Sequence, residues 1–166
     1  ETIDRLQGGG GQVFFCNSGA ESLEGAIKLA RRNGGHGKHV VVSALRSFHG
    51  RTLATLHATG QTEKHETFQP LPEGFRHVAY NDFDALEAAI NGADVVHHVQ
   101  PAAVSVTQVT EAGTIYASDE LRAISTVCKT HGLKLHMDGA RFANAIEAMG
   151  ISPAACSHGL GVDALS

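Results

Sequence analysis

Ala102-Ala103-Val104-Ser105-Val106-Thr107, followed by a helical pattern from Ser118-Asp119-Glu120-Leu121 to Lys129 and then by Leu133-Lys134-Leu135-His136-Met137, is the stretch on which the fold is read. The first run is short, apolar and partly β-branched, as a buried strand requires. Ser118 is the expected cap of the helix, and Asp119 and Glu120 set negative charge against the positive end of its dipole. His131-Gly132 closes that helix, and residues 133–137 supply the next strand. The alternation continues upstream. A compact run, Val13-Phe14-Phe15-Cys16, precedes a helix predicted over 20–32, loaded at its end by Lys28, Arg31 and Arg32 and stopped by Asn33-Gly34-Gly35. A β-branched strand over 39–43 leads through the turn Ser47-Phe48-His49-Gly50 to a mostly helical 52–59. A glycine- and proline-punctuated loop at 69–74 then opens on a strand at 76–79 and a helix at 82–90. Downstream, a helix is expected over 141–149 and a last strand over 162–166. Strands alternating with helices predict an α/β fold in three layers, a mainly parallel sheet covered on both faces.

Composition narrows the function. With 166 residues and 42% hydrophobic content, one domain with a buried core is expected. Thirteen basic against 17 acidic residues give a net charge of −4, which lacks the basic surface that nucleic acid requires. No apolar run approaches the ~20 residues of a membrane span, and the start shows no leader pattern, so a cytoplasmic location is expected. Cys16, Cys128 and Cys156 are odd in number and far apart, which suits reduced buried thiols better than disulfides or a zinc knuckle. The chain opens at Glu1 and closes on the apolar Val162-Asp163-Ala164-Leu165-Ser166; both ends read as cuts.

Three stretches offer chemistry, each with a plainer alternative. At Asn17-Ser18-Gly19-Ala20-Glu21 a helix begins, and its unpaired N–H groups form an anion site that Gly19 lets a phosphate approach; equally, Ser18 is a simple N-cap. In Phe48-His49-Gly50-Arg51 the aromatic ring can lie on a planar cofactor and the guanidinium can receive a carboxylate; equally, this is a core phenylalanine beside a surface arginine. Asp138, in Leu135-His136-Met137-Asp138-Gly139-Ala140-Arg141, falls just past a strand's carboxyl end, where open α/β sheets place ligands. A carboxylate there can keep a pyridine nitrogen protonated, or it can cap the next helix. The eleven histidines form no recognisable metal frame, His97 and His98 being adjacent without an acidic partner.

The order of these residues resembles two families. Val13-Phe14-Phe15-Cys16-Asn17-Ser18-Gly19-Ala20-Glu21, Ala26-Ile27-Lys28-Leu29-Ala30-Arg31, Ser47-Phe48-His49-Gly50-Arg51-Thr52-Leu53-Ala54-Thr55-Leu56 and Thr59-Gly60-Gln61 resemble acetylornithine and related class III aminotransferases. Ser22-Leu23-Glu24 departs from that family's alanine, asparagine and glutamate. From about residue 92, His97-His98-Val99-Gln100-Pro101, Thr110-Glu111-Ala112-Gly113-Thr114-Ile115-Tyr116 and Leu135 through Ala145 resemble the threonine aldolase and β-eliminating lyase group. Both resemblances imply a fold type I pyridoxal 5'-phosphate enzyme. The chain is then part of an aspartate-aminotransferase-like large domain, truncated, with residues 1–91 of one character and 92–166 of the other. They also imply a cofactor site of Ser18, Gly19, Ala20, Phe48, His49 and Asp138, and a substrate site of Arg51 and Arg141.

The resemblance further implies amino acids and 2-oxo acids as substrates and homodimeric or tetrameric parent enzymes. In both families the Schiff-base lysine follows the strand matching residues 162–166, so it is expected to be absent and the chain inactive alone. The preferred reading is a class III aminotransferase of acetylornithine type. The alternatives are an aldolase-type lyase cleaving β-hydroxy amino acids to glycine and an aldehyde, and a non-catalytic fragment.

Overall fold

Five strands pair in parallel throughout, and their order in space, β2-β1-β3-β4-β5, differs from their order in the chain. The strands are β1 (Lys38–Ala44), β2 (Phe75–Val78), β3 (Gln100–Thr107), β4 (Lys134–Asp138) and β5 (Ala164–Leu165). The helices are α1 (Thr2–Leu6), α2 (Gly19–Gly34), α3 (Leu53–Ala58), α4 (Phe83–Asn91), α5 (Ser118–Thr130), α6 (Phe142–Met149) and α7 (Pro153–Cys156). This computed structural model describes residues 2–91 and 100–166. The expected His97-His98-Val99 part of the aldolase-like motif and the junction after Asn91 lie outside them.

Parallel strands need long crossovers, which here carry helices to both faces of the sheet. The pleat sorts side chains by alternation. Val40 and Val42, Val104 and Val106, and Leu135 and Met137 point to one face, where they pack with Leu86 and Ile90 of α4 and with Leu121, Ile124 and Cys128 of α5. Val41 points to the other face and packs with Ile27 of α2 and Ala58 of α3. Ala30 of α2 sits on Ala102 and Ala103. Three layers result, as the alternation of elements predicts.

Several local expectations need correction. Ser118 is the first residue of α5 and Ala117 is its N-cap; Glu120 accepts the Ala117 N–H at 2.8 Å, so a side chain from the first turn replaces the expected serine cap. Likewise the N-cap of α6 is Arg141, so Asp138 does not cap that helix. Helix α1 is not anticipated from the sequence. Phe14 and Phe15, read as a compact apolar run, are 81% and 80% exposed. Cys128 and Cys156 are buried, whereas Cys16 is only partly so, and all three are free thiols. Among the described residues no helix is long and apolar enough to cross a membrane.

Candidate functional site

The α2 face of the sheet carries the polar side chains, because the alternation that sends Val104, Val106, Leu135 and Met137 to one face sends Ser105, His136 and Asp138 to the other. Asp138 ends β4 and is buried. Its Oδ1 accepts the Ala140 N–H at 3.1 Å, and its Oδ2 accepts from His49 Nδ1 at 3.0 Å. The His49 side chain is fully buried and that of Asp138 8% exposed. Sequence places His49 among the cofactor contacts; in the structure its ring is hydrogen-bonded to Asp138.

The turn holding His49 is locked to its surroundings. His49 N–H donates to Thr59 Oγ1 at 2.9 Å. Gly50 has φ +134, and a side-chain carbon there would stand 2.5 Å from Thr55 Oγ1 and 3.1 Å from the Ala20 side chain, so only glycine fits. That close approach lays the 48–51 turn against the start of α2. Thr52 Oγ1 reinforces the contact by donating to Glu24 of α2 at 2.5 Å.

At that start Ser18 is the N-cap, accepting the Glu21 N–H at 3.2 Å. Glu21 in turn accepts from the Asn17 backbone and side chain at 2.8 and 3.0 Å. The N–H groups of Gly19 and Ala20 precede the first helical hydrogen bonds, and nothing stands within 4 Å of where a Gly19 side chain would be. Phe48 is half-buried, with the Arg51 guanidinium 5.4 Å from its ring centre. Arg141 reaches Glu111 at 2.6 Å, an exposed ion pair that raises its pKa above the ordinary arginine value.

The fold thus brings the 18–20 helix start, the 48–51 turn and Asp138 to the carboxyl ends of β1, β3 and β4. Two further members escaped sequence reasoning: Ser105, and His136 of β4, whose pKa burial pushes down to about 4. Their one sequence signal is a lone polar residue inside an otherwise apolar strand. A hollow lined by Tyr80, Phe83 and Tyr116 among others opens on the opposite face, away from Asp138.

This donor set fits pyridoxal phosphate: helix-start N–H groups for a dianion, an aromatic face for a flat ring, and a buried carboxylate for a protonated ring nitrogen. The same fold occurs in the ornithine aminotransferase of Toxoplasma gondii, described with PLP at its active site. That likeness has a TM-score of 0.70 at 23% identity and covers 82% of this chain and 33% of that one. The chain thus shares the α/β fold of that aminotransferase. It belongs to the beta-eliminating lyase family, whose profile its residues 15–166 match. It is also similar to acetylornithine aminotransferases. It is 52% identical over 94 residues to that of Gloeobacter violaceus, a stretch covering 54% of this chain and 24% of the relative. To that of Halalkalibacterium halodurans it is 43% identical over 134 residues, 80% of this chain and 33% of the relative. The chain spans about a quarter to a third of the length of these curated relatives.

Proposed function

We propose that this chain supplies the cofactor-holding part of an enzyme of acetylornithine type that transfers amino groups between amino acids and 2-oxo acids. One observation carries the reading: Gly50 seats the Phe48–Arg51 turn against Ala20 while His49, from the same turn, binds Asp138. Three contacts expected from separate parts of the sequence thereby share one end of the sheet. The N–H groups of Gly19 and Ala20, with the Ser18 hydroxyl, would receive the phosphate, and Phe48 would lie against the ring. Asp138 would keep the ring nitrogen protonated, so that the bound group can withdraw charge from a substrate's α-carbon. Arg51 is exposed and free to turn from Phe48 toward a carboxylate; Arg141 reaches one by exchanging it for Glu111.

None of the five lysines is suited to bond the cofactor. Lys38 and Lys134 begin β1 and β4, at the opposite end from Asp138. Lys28 and Lys129 are exposed on α2 and α5, and Lys64 is held by Gln61. Binding without turnover is the expected behaviour of the chain alone. In this reading residues 1–91 bring the aminotransferase-like contacts and residues 92–166 the aldolase-like ones. The beta-eliminating lyase match over residues 15–166 favours a second reaction, cleavage of a β-hydroxy amino acid to glycine and an aldehyde.

The test is a fluorescence titration with pyridoxal phosphate. Saturable binding, weakened about tenfold or more by Asp138→Ala through loss of a charge-assisted hydrogen bond, supports the site. A linear response without saturation refutes it. Fusing the chain to the remaining part of an aminotransferase or of an aldolase separates the reactions, and activity only with the aldolase part overturns the transaminase assignment.

A further inference from the structure

The hydrogen-bonding of Asp138 does not end at His49. His49 Nε2 faces Ser105 Oγ at 3.5 Å, Ser105 Oγ lies 2.8 Å from His136 Nδ1, and His136 Nε2 lies 2.9 Å from Ser166 Oγ. A polar chain thus crosses beneath α2 from Asp138 to Ser166. In the hollow that Ser105 and His136 share with α2, that helix presents only Leu23, Ala26, Ile27 and Ala30. The charged neighbours of the chain among the described residues are Asp138 itself and, acting on it from the β4–α6 junction, Arg141 with its partner Glu111.

Counting hydrogens leaves two arrangements in which every one of these contacts is a hydrogen bond and the Ser105 hydrogen is used within the chain. A carboxylate donates none, a hydroxyl one, a neutral imidazole one and an imidazolium two. Asp138 therefore takes a hydrogen from His49 Nδ1. Burial keeps His136 neutral near pH 7, with a single N–H. With that hydrogen on Nδ1, His136 donates to Ser105, Ser105 donates to His49 Nε2, and Ser166 donates to His136 Nε2; both imidazoles are neutral. With it on Nε2, His136 donates to Ser166 and Ser105 donates to His136 Nδ1. For the contact with Ser105 to remain a hydrogen bond, His49 Nε2 then donates, which makes His49 an imidazolium against Asp138. The arrangements differ by one proton.

We propose that Ser105 and His136 are positioning residues that couple the charge of the His49–Asp138 pair to the tautomer of His136. A proton that reaches the Ser166 hydroxyl displaces that hydroxyl's own hydrogen onto His136 Nε2. His136 releases the hydrogen on Nδ1 to Ser105, and Ser105 passes its own to His49 Nε2. Each atom between gives one hydrogen and gains one, so the net change is one proton on His49. The functional consequence rests on the reading above: beside a neutral His49, Asp138 offers its whole charge to a ring nitrogen, and beside an imidazolium it shares that charge.

The test needs no cofactor. The chain is labelled with ¹⁵N at histidine, and long-range proton–nitrogen spectra report which ring nitrogens of His49 and His136 carry hydrogen between pH 5 and 9. The expected results are matched pairs only: neutral His49 with His136 on Nδ1, or charged His49 with His136 on Nε2. Ser105→Ala should break the match and Ser105→Thr restore it. A mixed pair in the unsubstituted chain overturns the proposal, as does a match that survives Ser105→Ala. Because the wild-type spectra alone decide, a variant that fails to fold leaves the test standing. Failure to bind pyridoxal phosphate in the titration above counts against the cofactor reading and leaves the nitrogen assignments untouched.

Discussion

Replacing Asp138 by alanine should measure what its pairing with His49 contributes to the folded chain. The substitution removes two hydrogen bonds. Ala140 is exposed, so water can take its N–H and that loss costs little. His49 is different, because its side chain is fully buried and its Nδ1–H would be left without a partner. An unsatisfied buried donor costs about 1–3 kcal/mol, and a buried charge stripped of its partner about 3–5 kcal/mol. The expected loss for a neutral His49 is therefore about 1–3 kcal/mol, and a larger value would mark the imidazolium. His49→Phe removes the orphaned donor, so the double variant should be less destabilised than the two single losses added together. Urea denaturation of the four chains at pH 7.5 gives the coupling energy. A value within the ~0.5 kcal/mol expected of independent sites would refute the pairing.

Other changes probe the frame around the site. Leu121→Ala, at a side chain with no exposure in the larger core, should cost about 2–5 kcal/mol and shift the urea midpoint without changing the slope. Gly60→Ala should destabilise by about 3 kcal/mol or more, the upper end for overpacking, since the new carbon would fall 2.0 Å from the Ala44 carbonyl oxygen, backbone that cannot turn aside; thermal melts would show it. Ser18→Ala should cost about 1 kcal/mol by freeing the Glu21 N–H, again read by urea. Acid should weaken the fold through His136 and His77, both of which burial shifts below their ordinary value of 6.5. The unfolded chain binds protons there before the folded one does, so stability is present above about pH 6.5 and falls with pH. For His136 the slope approaches about 1.4 kcal/mol per unit and levels near pH 4, and His77 adds to the fall in the same direction. A His136→Phe chain should show a shallower decline between pH 6 and 4.5; an identical profile would assign the acid sensitivity elsewhere.

The alternation of elements was legible because it is written locally. The buried strand at 100–107, the helix at 118–130 and the strand at 134–138 each announce themselves by period within their own residues. Asp138 and the 48–51 turn could be named as candidates for the same reason: a strand end and a glycine turn are local signals. Ser105 and His136 could not. Alone, each reads as a polar residue in an apolar strand, and only the β3–β4 register, which sets Ser105 directly opposite His136, makes them partners. The cap of α5 failed at smaller scale, where Glu120 reaching back to Ala117 outcompetes the serine that propensity favours. Phe14 and Phe15 carry the apolar content of a buried run, yet nothing described here covers them.

The division between the two faces of the sheet explains why stability and chemistry can coexist in so small a core. Val42, Val104, Leu135 and Met137 fill one face with large side chains that α4 and α5 seal, and this face supplies most of the buried apolar area. On the other face Ala102 and Ala103 lie beneath Ala30 of α2, and Val41 meets Ile27 of α2 and Ala58 of α3. Small residues there let the helix approach closely while leaving room for imidazole rings to lie between strand and helix. Polar groups confined in that space must pair with one another, since water cannot replace a lost partner. Enlarging one of the alanines should therefore disturb the His49–Asp138 geometry before it unfolds the chain. Ala103→Val, tested by the same ¹⁵N-histidine spectra, should shift the His136 resonances while lowering the stability read by urea by about 1–3 kcal/mol, which leaves the chain folded. Unchanged resonances would mean that α2, and not the strand surface, sets where the rings lie.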